Sequence, residues 1–385
     1  MRPEFVLAVP VFATRMVYLG TLTLLPPLLV ERGISPAYLG VLVGVYGYAA
    51  VLMGLLAGAL ADRFPPARLA AAGSALVGVA VALLWAATVP VALGAARLLH
   101  GIAMGLFRPT VSTLVLQRVP AERRASAISI NNVAYVAGAA AGPVAAGLLA
   151  DRYGLGTGLA AGAGVAVLAA VYLLVLGRRD RARRSGVTVW RGLRDLPSLL
   201  VRRRLLRPLA YVLADMTILH LWLVFLPVYL VQVHGFTLTA AGSLLSLEAL
   251  AYAVAQPWWG RVLDRGRPDV GIVVSLVAHG LLVTLLPLAG GNWLLLAFLL
   301  MVCGALNAGA YPGAVTLTAG RVDDAERGRA MGLLTSTSDV GQILGPLVGS
   351  VAYAVSGRLE GALVIAVGIG LVGAVLGWLV DRAAA

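Results

Sequence analysis

Twelve runs of about twenty or more mostly apolar residues, parted by short polar breaks, fill nearly the whole of this chain. They fall near residues 5–30, 37–61, 69–89, 91–116, 127–149, 158–177, 208–232, 239–262, 271–289, 293–319, 330–355 and 361–380. A helix needs about 20 apolar residues to cross the hydrocarbon of a bilayer. The spacing therefore predicts an all-α membrane protein with twelve transmembrane helices, and 385 residues leave no room for a separate soluble domain. Composition agrees, because 60% hydrophobic and 12% charged residues cannot cover a water-soluble globule. The first run carries Arg15 in its middle and ends in no small-residue cleavage site, so it reads as a retained span.

The net charge of +13 comes entirely from arginine, and its placement speaks against nucleic acid as a partner. With the N-terminus in the cytoplasm, 24 arginines fall in cytoplasmic segments and only Arg32, Arg152 and Arg358 in outer loops. That is the positive-inside pattern, which predicts a multi-pass protein of the cell (inner) membrane with both termini cytoplasmic. Eleven of the arginines crowd into 178–207. There Trp190, Leu193 and Leu200 recur at helical spacing, so the segment is either an interfacial helix on the inner surface or a solvated tether.

This basic segment separates two halves that align with each other. Asp62-Arg63 matches Asp264-Arg265, Gly142-Pro143 matches Gly345-Pro346, and Pro109 matches Pro312, at offsets of 202 to 203; Gly33 matches Gly235 at 202. A parallel repeat of about 200 residues implies a transporter with two pseudo-symmetric six-helix bundles. The expected division is 1–177, a linker over 178–207, and 208–385.

Four motifs carry a resemblance to the major facilitator superfamily over essentially the whole length. Gly58-Ala59-Leu60-Ala61-Asp62-Arg63 resembles the family's signature loop after the second span, although Pro65-Pro66-Ala67-Arg68 replaces its glycine and basic continuation. Gly260-Arg261-Val262-Leu263-Asp264-Arg265-Gly266-Arg267 lies closer to the pattern. Arg97-Leu98-Leu99-His100-Gly101, followed by Pro109, resembles the R-x-x-x-G element of span four. Gly138-Ala139-Ala140-Ala141-Gly142-Pro143, running on to Gly147, resembles the span-five motif of proton-coupled exporters, with Ala146 in place of a glycine. The resemblance implies gating roles for Gly58, Asp62, Arg63, Gly260, Asp264, Arg265, Gly138, Gly142 and Pro143. It implies proton-coupled antiport in the drug-exporting branch, working by alternating access. The alternative for span five is generic small-residue packing, because Gly341, Gly345 and Gly349 repeat the pattern in span eleven.

Ionisable residues inside a membrane cost several kcal/mol unless paired or hydrated, so they point to function. Arg15, Arg97 and Arg108 lie in spans of the first half, and Asp215, Glu248 and Asp339 in spans of the second. Arg97, Gly101, Met104 and Arg108 share an arc of roughly 60° on span four, which puts both arginines on one stripe; alternatively Arg97 snorkels to the outer face. Arg15 aligns with Asp215, and an ion pair between the halves, acting as a switch or as a static strut, is expected. Glu248 stands about 24 Å of helix before Asp264. A carboxyl in an apolar wall favours its neutral form, which suits a proton carrier, so Glu248, Asp339 and Asp215 are the proton-coupling candidates. Asp339 paired with Arg97 or Arg108 would instead be structural.

The substrate cavity is expected to be formed by Arg15, Arg97, Arg108, Tyr46, Asn131, Asn132, Tyr135, Trp222, Tyr252, Asn307 and Tyr311, with Tyr18, His220, Gln256 and Gln342 nearby. Such a set suits a lipophilic solute with a few hydrogen bonds. The leading expectation is a proton-coupled exporter of drug-like small molecules, working as a monomer in the lipid bilayer. The alternative is a carrier of an organic anion or anionic lipid-like metabolite, with the three arginines as a cationic half-site. A receptor or enzyme on this scaffold lacks support. No nucleotide-binding glycine loop, metal-ligand cluster or nucleophile set stands out, and no cofactor or metal is expected. The single Cys303 leaves the redox compartment open.

Overall fold

The computed structural model describes residues 3–120, 123–178, 205–265 and 268–383. The linker helix expected within 178–207 falls almost wholly outside the described residues, as do Gly266 and Arg267. Fourteen α-helices occur among the described residues. They are α1 (Pro3–Glu31), α2 (Leu39–Arg63, after a 3₁₀ turn at Pro36–Tyr38), α3 (Pro66–Ala86), α4 (Pro90–Arg118), α5 (Arg124–Tyr153) and α6 (Leu155–Leu176). Beyond the linker come α7 (Leu206–His234), α8 (Leu238–Asp264), α9 (Pro268–Leu285, running into a 3₁₀ turn at Leu286–Ala289), α10 (Trp293–Asn307), α11 (Ala310–Ala319), α12 (Asp324–Ser356), α13 (Leu359–Val364) and α14 (Ala366–Ala383).

These helices make up the twelve predicted spans, with spans ten and twelve each in two pieces. Among the described residues eleven spans are long and apolar enough to cross a membrane. The exception is α12, where the polar run Thr335 to Asp339 and Gln342 interrupts the apolar sequence. Helix starts follow local chemistry: α3, α4 and α9 each begin on a proline, whose fixed φ suits the first helical position and whose missing N–H would go unpaired there anyway. This moves span three to begin three residues earlier than the apolar pattern suggests. The repeat-matched Gly33 and Gly235 close α1 and α7 with φ of +78° and +66°, a conformation that a side chain disfavours.

The two broken spans have different causes. In span ten, Pro312 has no N–H to offer the carbonyl of Ala308, and the helix is interrupted at Ala308 and Gly309. In span twelve the cause lies on another helix. The Thr284 hydroxyl of α9 donates to the carbonyl of Val364 (3.1 Å) and accepts from the amide of Val367 (3.1 Å). A side chain inserted in this way satisfies the backbone groups that the break releases.

By packing, the chain divides into two compact units. The first comprises Met1–Ser35, Val45–Val189 and Leu230–Ser246; the second comprises Pro36–Gly44, Trp190–Tyr229 and Leu247–Ala385. In the first, α1 lies along α5 and α3 lies against α4 and α6. Alanines 67, 70 and 71 of α3 are buried with Phe107, Val111 and Leu114 of α4, the close approach that small residues allow between membrane helices. Arg32 donates from its guanidinium to the carbonyls of Leu84, Trp85 and Ala87, capping the end of α3. In the second unit α9 lies against α10, α11 and α14.

Thr284→Val removes both hydrogen bonds at the break in span twelve and leaves the Val364 carbonyl and the Val367 amide without that partner in a span where lipid offers none. It is expected to cost about 1–3 kcal/mol and to lower the apparent melting temperature in detergent, whereas Thr284→Ser retains it.

Candidate substrate and proton sites

The first unit collects its intramembrane arginines among aromatic rings. Arg15 on α1 lies with its guanidinium carbon 4.1 Å from the Tyr135 ring centre on α5 and 5.0 Å from that of Tyr18. Arg97 on α4, 2% exposed, lies 4.8 Å from the Tyr46 ring centre on α2 and donates to Nδ1 of His100 (3.2 Å). Stacked in this way, Arg97 is buried rather than snorkelling. Guanidinium is only ever a donor, so Nδ1 of His100 must accept and the His100 proton sits on Nε2; that atom is buried without a hydrogen-bond partner. Tyr18, Tyr46 and His100 contact one another, with ring centres 5.3 to 5.9 Å apart. Cation–π contacts of this kind stabilise a desolvated cation by about 2 kcal/mol or more. Arg108, one turn before Ser112, is half-buried on the same helix.

The second unit holds the carboxylates. Asp215 on α7 and Glu248 on α8 are 2% and 6% exposed, and the two are close enough to sense each other's charge. Cys303 of α10, also buried, lies within electrostatic range of both. The backbone of α8 at Glu248 packs directly against Gly304 of α10, with no space for a side chain there. Asp215 does not stand alone: Nδ1 of His279 on α9 lies 3.0 Å from its Oδ1, and the indole N–H of Trp222 donates to Nε2 of the same ring at 3.1 Å. Asp339 on α12 accepts from the side-chain amide of Gln342 (2.7 Å). Arg15 and Asp215, matched by the repeat, thus each have partners inside their own unit.

The remaining expected cavity residues are scattered. Asn131 donates to the carbonyl of Ala127, one turn back on α5 (2.9 Å), while Asn132 is exposed. Tyr252 and Tyr311 are half-buried, Asn307 is buried, and Trp222 is fully enclosed. Nδ1 of His220 faces the carbonyl of Met216, one turn back on α7 (3.0 Å). His279 is the functional candidate that the sequence reading missed. The signal was available, since an ionisable side chain interrupts the apolar run 271–289 just as Asp215 interrupts its own.

Of the expected gating residues, Gly138, Gly142 and Pro143 are buried on α5. A side chain at Gly138 or Gly142 would collide with the backbone of α1 at Phe12 and Met16. The matching Gly341 and Gly345 of α12 meet α7 at Met216 and Thr217 in the same manner. By contrast, Gly260 faces open space, and Arg63, Asp264 and Arg265 are exposed. The surroundings of Gly58 and the side chain of Asp62 lie outside what is described. Two further helix joints repeat. In the first unit, the Asp151 carboxylate of α5 accepts from the amides of Leu238 and Thr239 at the start of α8 (2.9 and 2.7 Å). In the second, the Ser350 hydroxyl of α12 accepts from the amide of Gly40 at the start of α2 (2.6 Å). A cavity of about 450 Å³ opens beside the first joint, lined by Pro27, Glu31, Asp151, Leu155, Gln232 and Phe236 among others. It contains none of the residues expected in a substrate cavity.

Two halves of apolar spans with charged side chains buried inside them define a multi-pass membrane transporter. The family model described as Major Facilitator Superfamily matches residues 7–247 and 209–385, and the chain belongs to that family. It is 26% identical over 294 residues to the multidrug resistance protein MdtG of Salmonella typhimurium, covering 73% of this chain and 70% of the relative. The MdtG of Citrobacter koseri is 26% identical over 288 residues with the same coverage. Among solved structures, the nucleoside transporter NupG superposes with a TM-score of 0.83 at 18% identity, covering 99% of this chain and all of the other. A bacterial homolog of the human lysosomal transporter Spinster, in an inward-facing and occupied conformation, gives 0.81 at 17% identity with 98% and 96% coverage. The peptide transporter POT with sulfate gives 0.78 at 18% identity with 98% and 93% coverage. These structural likenesses establish the shared fold.

The glycines supply a direct contrast. Gly142→Ala pushes a methyl group into the α1 backbone and is expected to cost about 1–3 kcal/mol, seen as a lower melting temperature in detergent. Gly260→Ala, facing open space in a helix, is expected to be neutral or to stabilise by up to about 1 kcal/mol.

Proposed function

We propose that this protein is a proton-coupled exporter of lipophilic, drug-like small molecules that works by alternating access. The observation that carries this reading is the pair of buried carboxylates, Asp215 and Glu248, within range of each other's charge in an apolar interior. Two such groups cannot both remain ionised cheaply out of water, so at least one is suited to take and release a proton as its surroundings change. The similarity to proteins named for multidrug resistance supports the same direction. In this reading Glu248 and Asp215 carry the proton, and Asp339, held by Gln342, is the third candidate. The protein works as a monomer in the inner membrane with both termini cytoplasmic, and 178–207 joins bundles at 1–177 and 208–385.

A second reading has its own observation. Arg15, Arg97 and the unpartnered Nε2–H of buried His100 form a cationic, aromatic-lined cluster, the chemistry that recognises a carboxylate or phosphate. It favours an organic anion as the carried solute.

Reconstituted proteoliposomes separate the two. Under an imposed pH gradient the wild-type protein is expected to move a lipophilic cationic dye such as ethidium. Glu248→Gln is expected to reduce that flux about tenfold or more, a coupling loss of about 1.4 kcal/mol. Indifference to the dye, together with thermal protection by organic anions that Arg97→Gln abolishes, would establish the second reading instead.

A further inference from the structure

We infer that His279 is a positioning residue for Asp215: Trp222 locks its imidazole in the Nδ1–H tautomer, so that it presents a fixed hydrogen-bond donor to the carboxylate and is not itself a carrier of protons. This deepens the proposed proton coupling and rests on that reading for its transport consequence, though not for its geometry.

The argument begins with helix spacing. Asp215 and Trp222 are seven residues apart on α7, which is two turns, so both project from nearly the same face. The imidazole of His279 on α9 bridges them, with Nδ1 3.0 Å from Asp215 Oδ1 and Nε2 3.1 Å from the indole nitrogen. An indole nitrogen can only donate. Nε2 must therefore be the acceptor, and the ring's one proton lies on Nδ1, directed at the carboxylate. An imidazolium would set a second N–H against the indole N–H. His279 and Trp222 are wholly buried and Asp215 is 2% exposed, so no bulk water is at hand to relieve that clash.

The surroundings hold the ring in place. Beside His279, Gly280 brings α9 against the α14 backbone at Ala366, and the imidazole itself is wholly buried. Glu248 of α8 and Cys303 of α10 are further ionisable groups near Asp215. Farther along the same two helices, Arg207 and Asp269 pair with each other at 3.2 Å. A carboxylate that keeps one oxygen on a permanent N–H has its other oxygen as the place for an arriving proton. Trp222 thereby decides which atom of the Asp215–His279 pair is protonated, from a position two helical turns away.

The tautomer is read directly from long-range ¹H–¹⁵N correlation spectra of [¹⁵N]histidine-labelled protein in detergent near neutral pH, with the His279 signal assigned by its loss in His279→Asn. The wild type is expected to show the Nδ1–H pattern at His279, and Trp222→Phe to show a mixture that includes the Nε2–H form. An Nε2–H or doubly protonated ring in the wild type, or no change in Trp222→Phe, overturns the proposal. Transport supplies the second arm. Asparagine offers an amide N–H and a carbonyl in place of the two ring nitrogens and is expected to retain pH-driven flux within about threefold. Leucine offers neither and is expected to lose about tenfold or more, the scale of a charged group's lost hydrogen bond. Equal loss in both variants, with both still folded by gel filtration, would mean that protons pass through the imidazole and would also overturn the proposal. Absence of pH-driven flux in the wild type would count against the proposed function, and the spectrum would still decide the tautomer.

Discussion

A polar group inside a bilayer must find its partner within the protein, because hydrocarbon offers none. Much of the local architecture follows from that rule. Thr284 reaches from α9 to complete the backbone of a neighbouring span. Arg97 is accommodated by a histidine and a tyrosine face, and Asp215 by a histidine that an indole holds in turn. Each of these three devices uses residues from different helices, so each also helps fix how those helices pack. Most of the rest of the interior is apolar, with alanine, leucine and valine prominent, and such side chains pack closely without dictating direction.

The two units spend their polar residues differently. In the first, cations sit over aromatic rings, which offset part of the cost of taking a guanidinium out of water. In the second, Asp215 meets an imidazole and Asp339 a side-chain amide, while Glu248 is buried beside the α10 backbone. Helices matched by the repeat thus carry different charged residues on a similar frame. Such division is open to a duplicated fold because the packing positions, glycine against backbone, are kept apart from the positions that carry charge.

The spans were legible in the sequence because length and apolarity alone determine what can cross a membrane, and the repeat was legible because glycine and proline mark backbone geometry directly. The break in span ten could be read from Pro312, while the break in span twelve could not, since its cause is Thr284 on a different helix. The buried charges were identified from their cost, but not their partners. Asp215 was matched to Arg15 by symmetry of position, whereas within its unit it is taken by His279, a contact that depends on how α7 and α9 pack. Trp222 reads as an aromatic cavity residue in one dimension and as a hydrogen-bond donor in three. The span-five glycines fit both a family motif and plain packing, and their collision course with α1 accounts for the residue type without reference to the solute.

One asymmetry remains in the matched joints. The start of α8 hangs from α5 by two amides on a carboxylate, and the start of α2 hangs from α12 by a hydroxyl that accepts from the Gly40 amide and donates to the Pro36 carbonyl. Hydrogen bonds to a charged acceptor are roughly twice as strong as neutral ones, so two helix ends placed alike by the repeat are fastened with unequal force. Acid therefore loosens the first joint, whose acceptor is a carboxylate, and leaves the second, whose acceptor is a hydroxyl, as it is.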